Sequence, residues 1–346
     1  MNFNEAKKQI AQGRISPIYI GFGTETYFMQ EFIDVLIKKL LPDEHVDFAL
    51  SKYDLQETSL DIVLDDAETL PFMVEKKIIV AENALFFTGA KDKAEHSTDR
   101  LQQYMSDPSE HTILVLLVQG DKLDERKKIT KMLKAMNGII DFMPFSAQDL
   151  NQWVRDQAQI LGLSFTSEAL EQFILYTGGN LRSISAELEK LSLYAGSGKT
   201  VDVELVNEMV PRSTEQNVFL LIDHIVQTHA HEAFSILYDL LKQKEEPIKI
   251  MMLMARQFRI MLQSQELARQ GYSSQQIASK LGIAPFVVQK VSSQSRHYTV
   301  SELATILTKL AELDYGIKSG KIDKVFGLEI LLLQMANAQK SKQKKS

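Results

Sequence analysis

Short apolar runs alternate with amphipathic stretches along the first part of the chain. Apolar runs bounded by turn residues predict β-strands, and apolar residues recurring every three or four positions predict helices. By these rules strands are predicted at 17–22, 77–81, 112–118 and 138–142, with a weaker one at 46–53. Helices are predicted at 25–41, 59–68 and 127–136, and residues 84–99 have the pattern of a loop or short irregular insert. Strands that alternate with helices indicate an α/β domain built on a mostly parallel sheet.

Beyond Pro144 the β pattern stops and helical patterns continue almost to the end of the chain. The first helices are predicted at 148–161, 167–177 and 181–194, which form a small three-helix module. Thr166 or Ser167 suits the N-cap of the second helix, and Gly178 and Gly179 suit its end. A turn at 196–198 leads to a short helical stretch at 203–210, and Pro211 marks a hinge. The remaining helices form an all-α bundle and are predicted at 218–228, 231–242, 248–270, 274–281, 285–292, 299–319 and 325–339.

Length and composition are those of a multidomain globular protein. The chain has 346 residues, of which 45% are hydrophobic and 24% charged, and it contains no cysteine. This length exceeds the roughly 250 to 300 residues that one core supports, so two or three domains are expected. No apolar run approaches the ~18 residues of a membrane span, and the N-terminus has no export signal. A cytoplasmic protein without a membrane association is therefore expected.

The net charge of −6 hides an uneven distribution of charge. Residues 1–212 carry 22 basic and 33 acidic side chains, whereas residues 213–346 carry 17 basic and 12 acidic ones. A basic C-terminal third is typical of a surface for nucleic acid or an acidic partner. Four of its lysines, at 340, 342, 344 and 345, have the pattern of a solvated tail. The excess is too small to predict a protein that binds DNA by itself.

Two glycine-containing segments resemble phosphate loops, and neither satisfies the motif. Gly198-Lys199-Thr200 lacks the required glycine five positions earlier, where Leu193 stands, and it follows a helix rather than a strand. After the first predicted strand, Gly21 and Gly23 could open a tight turn into a helix that Thr24 caps. No lysine is present there to neutralise a triphosphate. The pattern is that of a nucleotide-binding fold without nucleotide chemistry.

The sequence predicts neither a metal site nor a cofactor. The seven histidines form no H-E-x-x-H pattern, and a structural zinc site is not expected without cysteine. His224, His229 and His231 come nearest to a cluster, but their spacing does not place them on one helical face. No catalytic residue is predicted.

A short apolar turn, residues 68–73, follows an acidic helix and precedes the strand predicted at 77–81. Pro71 dictates a turn there. Phe72 on an exposed turn could anchor the chain in a partner's pocket, because buried aromatic area contributes much interface energy. Leu70 and Phe72 could equally well cover the sheet, and both interpretations stay open at this point.

The whole chain resembles the delta subunit of the bacterial DNA polymerase III clamp loader, in its Gram-positive form. The resemblance is carried by the order and spacing of Tyr19-Ile20-Gly21 with Glu25 and Tyr27, Leu70-Pro71-Phe72 before Lys77-Ile78-Ile79-Val80, Thr177-Gly178-Gly179, Glu187-Leu188-Glu189-Lys190-Leu191, Leu313-Asp314 and Ile317-Lys318-Ser319-Gly320-Lys321. It implies an α/β plus all-α fold. The domains would be a degenerate AAA+ (RecA-like) parallel-sheet domain at 1–143, a three-helix lid at 144–212, a helical collar at 213–340 and a basic tail at 341–346.

The resemblance also implies a function. Delta subunits insert a hydrophobic wedge into a pocket on the sliding clamp (beta), and the matching positions here are Leu70, Pro71, Phe72 and Met73. The chain would open the clamp for loading onto primed DNA during replication without hydrolysing ATP itself. It would be a non-enzymatic part of a nucleotidyltransferase complex, joined through the collar to the gamma/tau and delta-prime subunits. Primer-template DNA would be contacted through phosphates, with Lys318 and Lys321 as candidates. The alternative is an ATP-hydrolysing motor subunit of a clamp loader or a related AAA+ ATPase.

Overall fold

The computed structural model describes residues 1–89, 96–120, 122–196, 198–283 and 285–343. The chain divides into two compact units, Met1–Pro144 and Phe145–Ser346. Each unit has its own hydrophobic core. The finer predicted division of the second unit at residue 212 stays a prediction.

Unit 1 is an α/β domain. Its strands are β1 Ile18–Gly23, β2 Leu50–Asp54, β3 Lys77–Glu82, β4 Thr112–Gln119 and β5 Ile139–Phe142. Its helices are α1 Phe3–Ala11, α2 Thr26–Leu40, α3 Val46–Ala49, α4 Leu60–Glu68, α5 Thr98–Ser106 and α6 Lys128–Ala135, with 3₁₀ turns at Asp43–His45 and Leu85–Phe87. The strands form a five-stranded sheet in the order β2-β3-β4-β1-β5, and every pairing is parallel.

The central strands of the sheet are buried on both faces. In β4 every residue from Thr112 to Val118 is buried, as is every residue of β3 except its last. A parallel strand covered on both faces needs a continuous apolar run, and that is the signal from which these strands are predicted. The predicted parallel-sheet domain is confirmed.

Three elements of unit 1 differ from the prediction. Residues 46–53 are not one strand, because α3 occupies 46–49 and β2 begins only at Leu50. The predicted insert at 84–99 contains the start of α5, while residues 90–95 lie outside the described residues. Helix α1 was not predicted, although Asn2 and Glu5 form a capping box that marks its start.

Unit 2 begins with the helices α7 Ala147–Ile160, α8 Ser167–Thr177, α9 Leu181–Ala195 and α10 Val203–Met209. Thr166 caps α8, and Gly178 ends it in a left-handed conformation, as predicted. The prediction that β structure stops after Pro144 is wrong, because β6 Ser164–Phe165 and β7 Thr200–Val201 form a two-stranded parallel sheet. Strands of two residues are too short to give an alternating pattern.

The rest of unit 2 is entirely helical within the described residues, and the predicted all-α part is confirmed. Its helices are α11 Thr214–Val226, α12 Ala230–Lys242, α13 Pro247–Arg269, α14 Ser274–Leu281, α15 Pro285–Ser295, α16 Val300–Lys318 and α17 Lys324–Gln343. Part of the predicted basic tail is helical, since α17 extends to Gln343 and Lys342 pairs with Glu302 at 2.6 Å. Residues 344–346 lie outside the described residues. None of the described helices is both long and apolar enough to cross a membrane.

Candidate functional site

The apolar turn between α4 and β3 presents its large side chains to solvent. Leu70 is 72% exposed, Phe72 70% and Met73 68%, while Pro71 is half-buried. These side chains therefore do not cover the sheet, and the second of the two interpretations of Leu70 and Phe72 is wrong. Met73 has a φ of 60°, a left-handed conformation that is uncommon for residues other than glycine. A strained backbone that holds apolar side chains in water indicates a binding surface.

A partly buried ion pair closes the base of this turn. Lys77, the first residue of β3, has a side chain only 7% exposed, and its Nζ lies 2.8 Å from Oδ1 of Asp66 near the end of α4. The same ammonium donates to the main-chain oxygen of Asp66. Tyr53 donates its hydroxyl to the other carboxylate oxygen of Asp66 at 2.9 Å. The two ends of the segment 66–77 are thereby joined, so the turn is a closed loop rather than a free one.

Further hydrogen bonds fix the flanks of the turn. The backbone N–H of Lys77 donates to the carbonyl of His111 at 2.8 Å, and the His111 ring Nδ1 lies 3.0 Å from the carbonyl oxygen of Glu75. Thr112 is buried and donates its hydroxyl to the carbonyl of Ala67 at 2.8 Å. Thr69 donates its hydroxyl to the carbonyl of Asp65 at 2.8 Å. The turn is therefore tied to α4 and to the segment before β4.

Beside the turn lies a concave surface that encloses about 890 Å³. Leu70, Pro71 and Val74 form one of its walls. Its other walls come from Pro17 before β1 and from Ser109 to Ile113 at the start of β4. All of these positions are at the amino ends of parallel strands. The apolar turn thus lies at the amino edge of the sheet, opposite the carboxyl edge where α/β folds bind nucleotides.

Asp66 makes the stability of the turn dependent on pH. Burial opposes its ionisation, but hydrogen bonds from Lys77, Ser51 and Tyr53 together with the charge of Lys77 hold the pKa of Asp66 below its ordinary value. A carboxyl with a depressed folded-state pKa stabilises the fold above its unfolded pKa of about 4, and this stability is lost as the pH falls through the folded pKa.

We therefore expect Asp66→Asn to be less stable than the wild type at neutral pH and the difference to shrink as the pH falls below about 4. Urea unfolding midpoints measured for both proteins between neutral and acid pH check this. A stability difference that is the same at every pH would contradict the role of the ionised carboxylate.

Gly21 and Gly23, toward the carboxyl end of β1, allow Phe142 to pack closely against the strand. A Cβ on Gly21 would lie 2.5 Å from Cε2 of Phe142. Gly23 has a φ of 145°, and a Cβ there would collide with the carbonyl of Phe142. The expectation that Thr24 caps the next helix is wrong: Glu25 is the N-cap of α2, and its carboxylate accepts from the backbone N–H of Tyr27 at 3.1 Å. A carboxylate thus occupies the helix N-terminus at which a phosphate loop would hold its anion.

The other sequence motifs lie elsewhere. In Gly198-Lys199-Thr200, the carbonyl of Lys199 accepts from the backbone N–H of Ser164, and Thr200 opens β7, so the segment is part of the small sheet. Ser197, in the predicted turn, lies outside the described residues.

Lys318 and Lys321 are both exposed near the end of α16, in unit 2. Lys318 pairs with Asp314 at 2.8 Å, which offsets its charge. The Nζ of Lys321 lies 5.9 Å from the centre of the Tyr315 ring. Tyr315 is itself 68% exposed and was not predicted from the sequence, since a lone tyrosine on a helix gives no signal.

Comparison with known proteins places the chain in a family. Residues 19–142 match the family described as "DNA polymerase III, delta subunit", and residues 215–335 match "DNA polymerase III delta subunit, C-terminal domain". The DNA polymerase III subunit delta of Bacillus subtilis (strain 168) is 40% identical over 330 residues, which covers 95% of each chain. The chain belongs to the DNA polymerase III delta subunit family. Residues 146–208 additionally match a family described as a middle domain.

One further relative and a solved structure agree with this membership. The probable DNA polymerase III subunit delta of Aquifex aeolicus (strain VF5) is 20% identical over 299 residues, covering 86% of this chain and 85% of that one. The solved structure of the Bacillus subtilis DNA clamp loader delta protein superposes with a TM-score of 0.70 at 39% identity, covering 97% of this chain and 99% of that one. The predicted family and the predicted α/β plus all-α fold are both confirmed. The chain is thus a delta-type clamp loader subunit of DNA replication.

Proposed function

We propose that this chain binds the sliding clamp (beta) through Leu70, Pro71, Phe72 and Met73 and opens the clamp ring for loading onto primed DNA. The observation that carries the proposal is the exposure of three large apolar side chains on one turn that the Lys77–Asp66 ion pair holds closed. A few apolar anchors that fill a partner's pocket supply most of the binding energy of many interfaces. Because the turn is held in place before binding, little conformational freedom is lost when it docks.

The ring would be opened by preferential binding. A ligand shifts an equilibrium only as far as its affinities for the two states differ, so the turn must bind the opened clamp more tightly than the closed one. Each 1.4 kcal/mol of such preference shifts the ratio of open to closed rings by about tenfold. This mechanism consumes no nucleotide in the subunit itself.

The same proposal holds that the chain is not an enzyme. This is supported by the residues at the carboxyl end of β1. Glu25 caps α2 there, and residues 21–26 contain no lysine. A carboxylate at this position repels a triphosphate, and no side chain there neutralises one. The alternative, an ATP-hydrolysing motor subunit, requires that site to bind nucleotide.

Isothermal titration with ATP and magnesium should give no binding heat at micromolar nucleotide concentrations, because the phosphate-binding groups are missing. The same preparation titrated with the clamp serves as the control and should give a saturable heat. Micromolar affinity for ATP would favour the motor alternative.

Partner subunits would be contacted through the collar, residues 213–340. Its described surface carries a row of exposed apolar side chains on α17, with Phe326 60%, Ile330 40% and Leu333 51% exposed. Their spacing places them on one helical face, and such a face is typical of a subunit interface. We propose that it packs against the gamma/tau and delta-prime subunits.

Contacts with primer-template DNA would be made within the assembly, to phosphates. Lys321 is the better candidate of the two predicted lysines, because the charge of Lys318 is offset by Asp314. This role implies a cytoplasmic protein that is associated with the nucleoid during replication.

A further inference from the structure

Unit 1 is acidic overall, yet its positive charge is concentrated in one stretch. Residues 1–144 carry 17 lysines and arginines against 24 aspartates and glutamates, and six of the 17 fall within residues 122–134. Like charges placed close together repel one another, so such a stretch does not stabilise the fold by itself. A concentration of positive charge indicates a surface for an anionic ligand.

Two of the six basic side chains have structural roles. Arg126 forms two hydrogen bonds of 2.9 Å to the carboxylate of Asp124. Lys127 donates to the carbonyls of Phe86 and Thr88 at 2.7 Å and 3.0 Å and so ties α6 to the turn after β3. The Lys127 ammonium is therefore held within the fold, whereas the charge of Arg126 is offset by Asp124 although its side chain is 90% exposed.

The other four are the exposed lysines 122, 128, 131 and 134. Within the described part of the chain, Lys134 is the one of these four that forms an ion pair, with its Nζ 3.7 Å from Glu125. An exposed pair at that distance contributes little to stability. Four ammonium groups along one side of α6 and the loop before it are therefore available to an external anion.

Three of these lysines border a groove beside β5, the edge strand of the sheet. The groove has a volume of about 890 Å³, and its rim includes Lys122, Lys131 and Lys134. Its apolar lining comes from Phe22, Leu123, Ile139 and Met143. A volume of this size is in the range of ligand-binding clefts.

The charges around the groove favour an extended chain of anionic groups over a single compact anion. Glu125 and Asp141 also line it, so it does not enclose a single compact anion in positive charge. Lys131 and Lys134 are instead one helical turn apart, and neighbouring side chains at this spacing can meet successive anionic groups. The apolar lining suits the faces of unpaired bases, which are exposed in a single strand.

We propose that this groove binds the phosphate backbone of a single DNA strand, with Lys122, Lys131 and Lys134 on the phosphates. The choice of DNA as the source of the phosphates rests on the proposed function in replication. Within unit 1 the groove shares no residue with the concave surface beside the apolar turn.

Fluorescence anisotropy of a labelled oligothymidine of roughly 15 nucleotides, with the full chain in low and moderate salt, tests the groove. The triple variant Lys122→Glu, Lys131→Glu, Lys134→Glu reverses the charge at all three lysines on the rim and should weaken binding about tenfold or more. It should also lower the slope of log affinity against log salt concentration by about 2, because roughly 0.7 counterion is released per phosphate contact. The matched control Lys38→Glu, Lys39→Glu and Lys52→Glu makes the same change in net charge at three other exposed lysines. It should leave the salt slope unchanged.

The proposed DNA site is wrong if the wild type does not bind the oligonucleotide in low salt, or if the two triple variants weaken binding equally. It is also wrong if inorganic phosphate displaces the oligonucleotide at equal phosphate concentration, or if polyglutamate binds equally tightly. Clamp binding measured on the groove variant separates this proposal from the proposed function, since that variant retains the apolar turn and should bind the clamp normally.

Discussion

Replacing Leu70 and Phe72 together with alanine should abolish detectable clamp binding while leaving the fold intact. Each side chain is at least 70% exposed in the free protein, so its removal sacrifices almost no packing within unit 1. Single apolar anchors at interfaces commonly contribute about 2 kcal/mol, or roughly thirtyfold in affinity. The two anchors on this turn should together account for about a hundredfold or more in affinity, and calorimetry or surface-binding measurements on the wild type and the variant check this.

The chain offers a matched control for this experiment. Phe48 is 68% exposed and Leu193 87%, so Phe48→Ala with Leu193→Ala removes the same two side-chain types from other positions that are also mostly exposed. This control should bind the clamp as the wild type does. If the two double variants lose affinity equally, or if neither loses any, the assignment of the turn as the clamp-binding site is wrong.

Replacing Lys77 with methionine should destabilise unit 1 by about 2 to 4 kcal/mol, because it leaves the partly buried carboxylate of Asp66 without its partner. The base of the turn would open at the same time, so clamp affinity should fall although no clamp-contacting side chain has changed. Urea unfolding measures the first effect and clamp titration the second. A loss of stability with unchanged clamp affinity would contradict the role of the ion pair in positioning the turn.

Lys7 provides the comparison for this effect. It pairs with Glu31 at 2.9 Å, nearly the distance between Lys77 and Asp66, but the Lys7 side chain is 48% exposed. The acidic partners Glu31 and Asp66 are equally exposed, at 23% each, so the two pairs differ in the burial of the lysine and in the additional hydrogen bonds of Lys77 and Asp66. Exposed pairs contribute about 1 kcal/mol or less, and Lys7→Met should therefore have a small effect.

The sequence predicts the sheet well because its strands are long apolar runs, as in β4, and the same holds for the helices with clear caps, such as α8 after Thr166. It predicts short elements poorly. The strands β6 and β7 have two residues each, which is too short for an alternating pattern. Helix α5 starts within a polar stretch and gives no apolar periodicity there.

The position of the candidate site could be predicted, but its geometry could not. Pro71 and the neighbouring apolar residues mark a turn, yet their exposure depends on which edge of the sheet the turn occupies. The pairing of Asp66 with Lys77 depends on α4 and β3 being packed side by side, and two charges eleven positions apart give no local signal. The resemblance to delta subunits supplied the function that the pattern alone left open.

The central claim is that this chain opens the clamp by binding it, and release of clamps from DNA tests it most directly. A fluorescent clamp loaded on a nicked circular plasmid is mixed with the isolated chain in the absence of any nucleotide. The wild type should release the clamp about tenfold faster or more than the spontaneous rate, which corresponds to a preference of at least ~1.4 kcal/mol for the opened ring. The Leu70→Ala, Phe72→Ala variant should leave the spontaneous rate unchanged. Release that requires ATP, or that the wild type does not accelerate at all, would contradict the account.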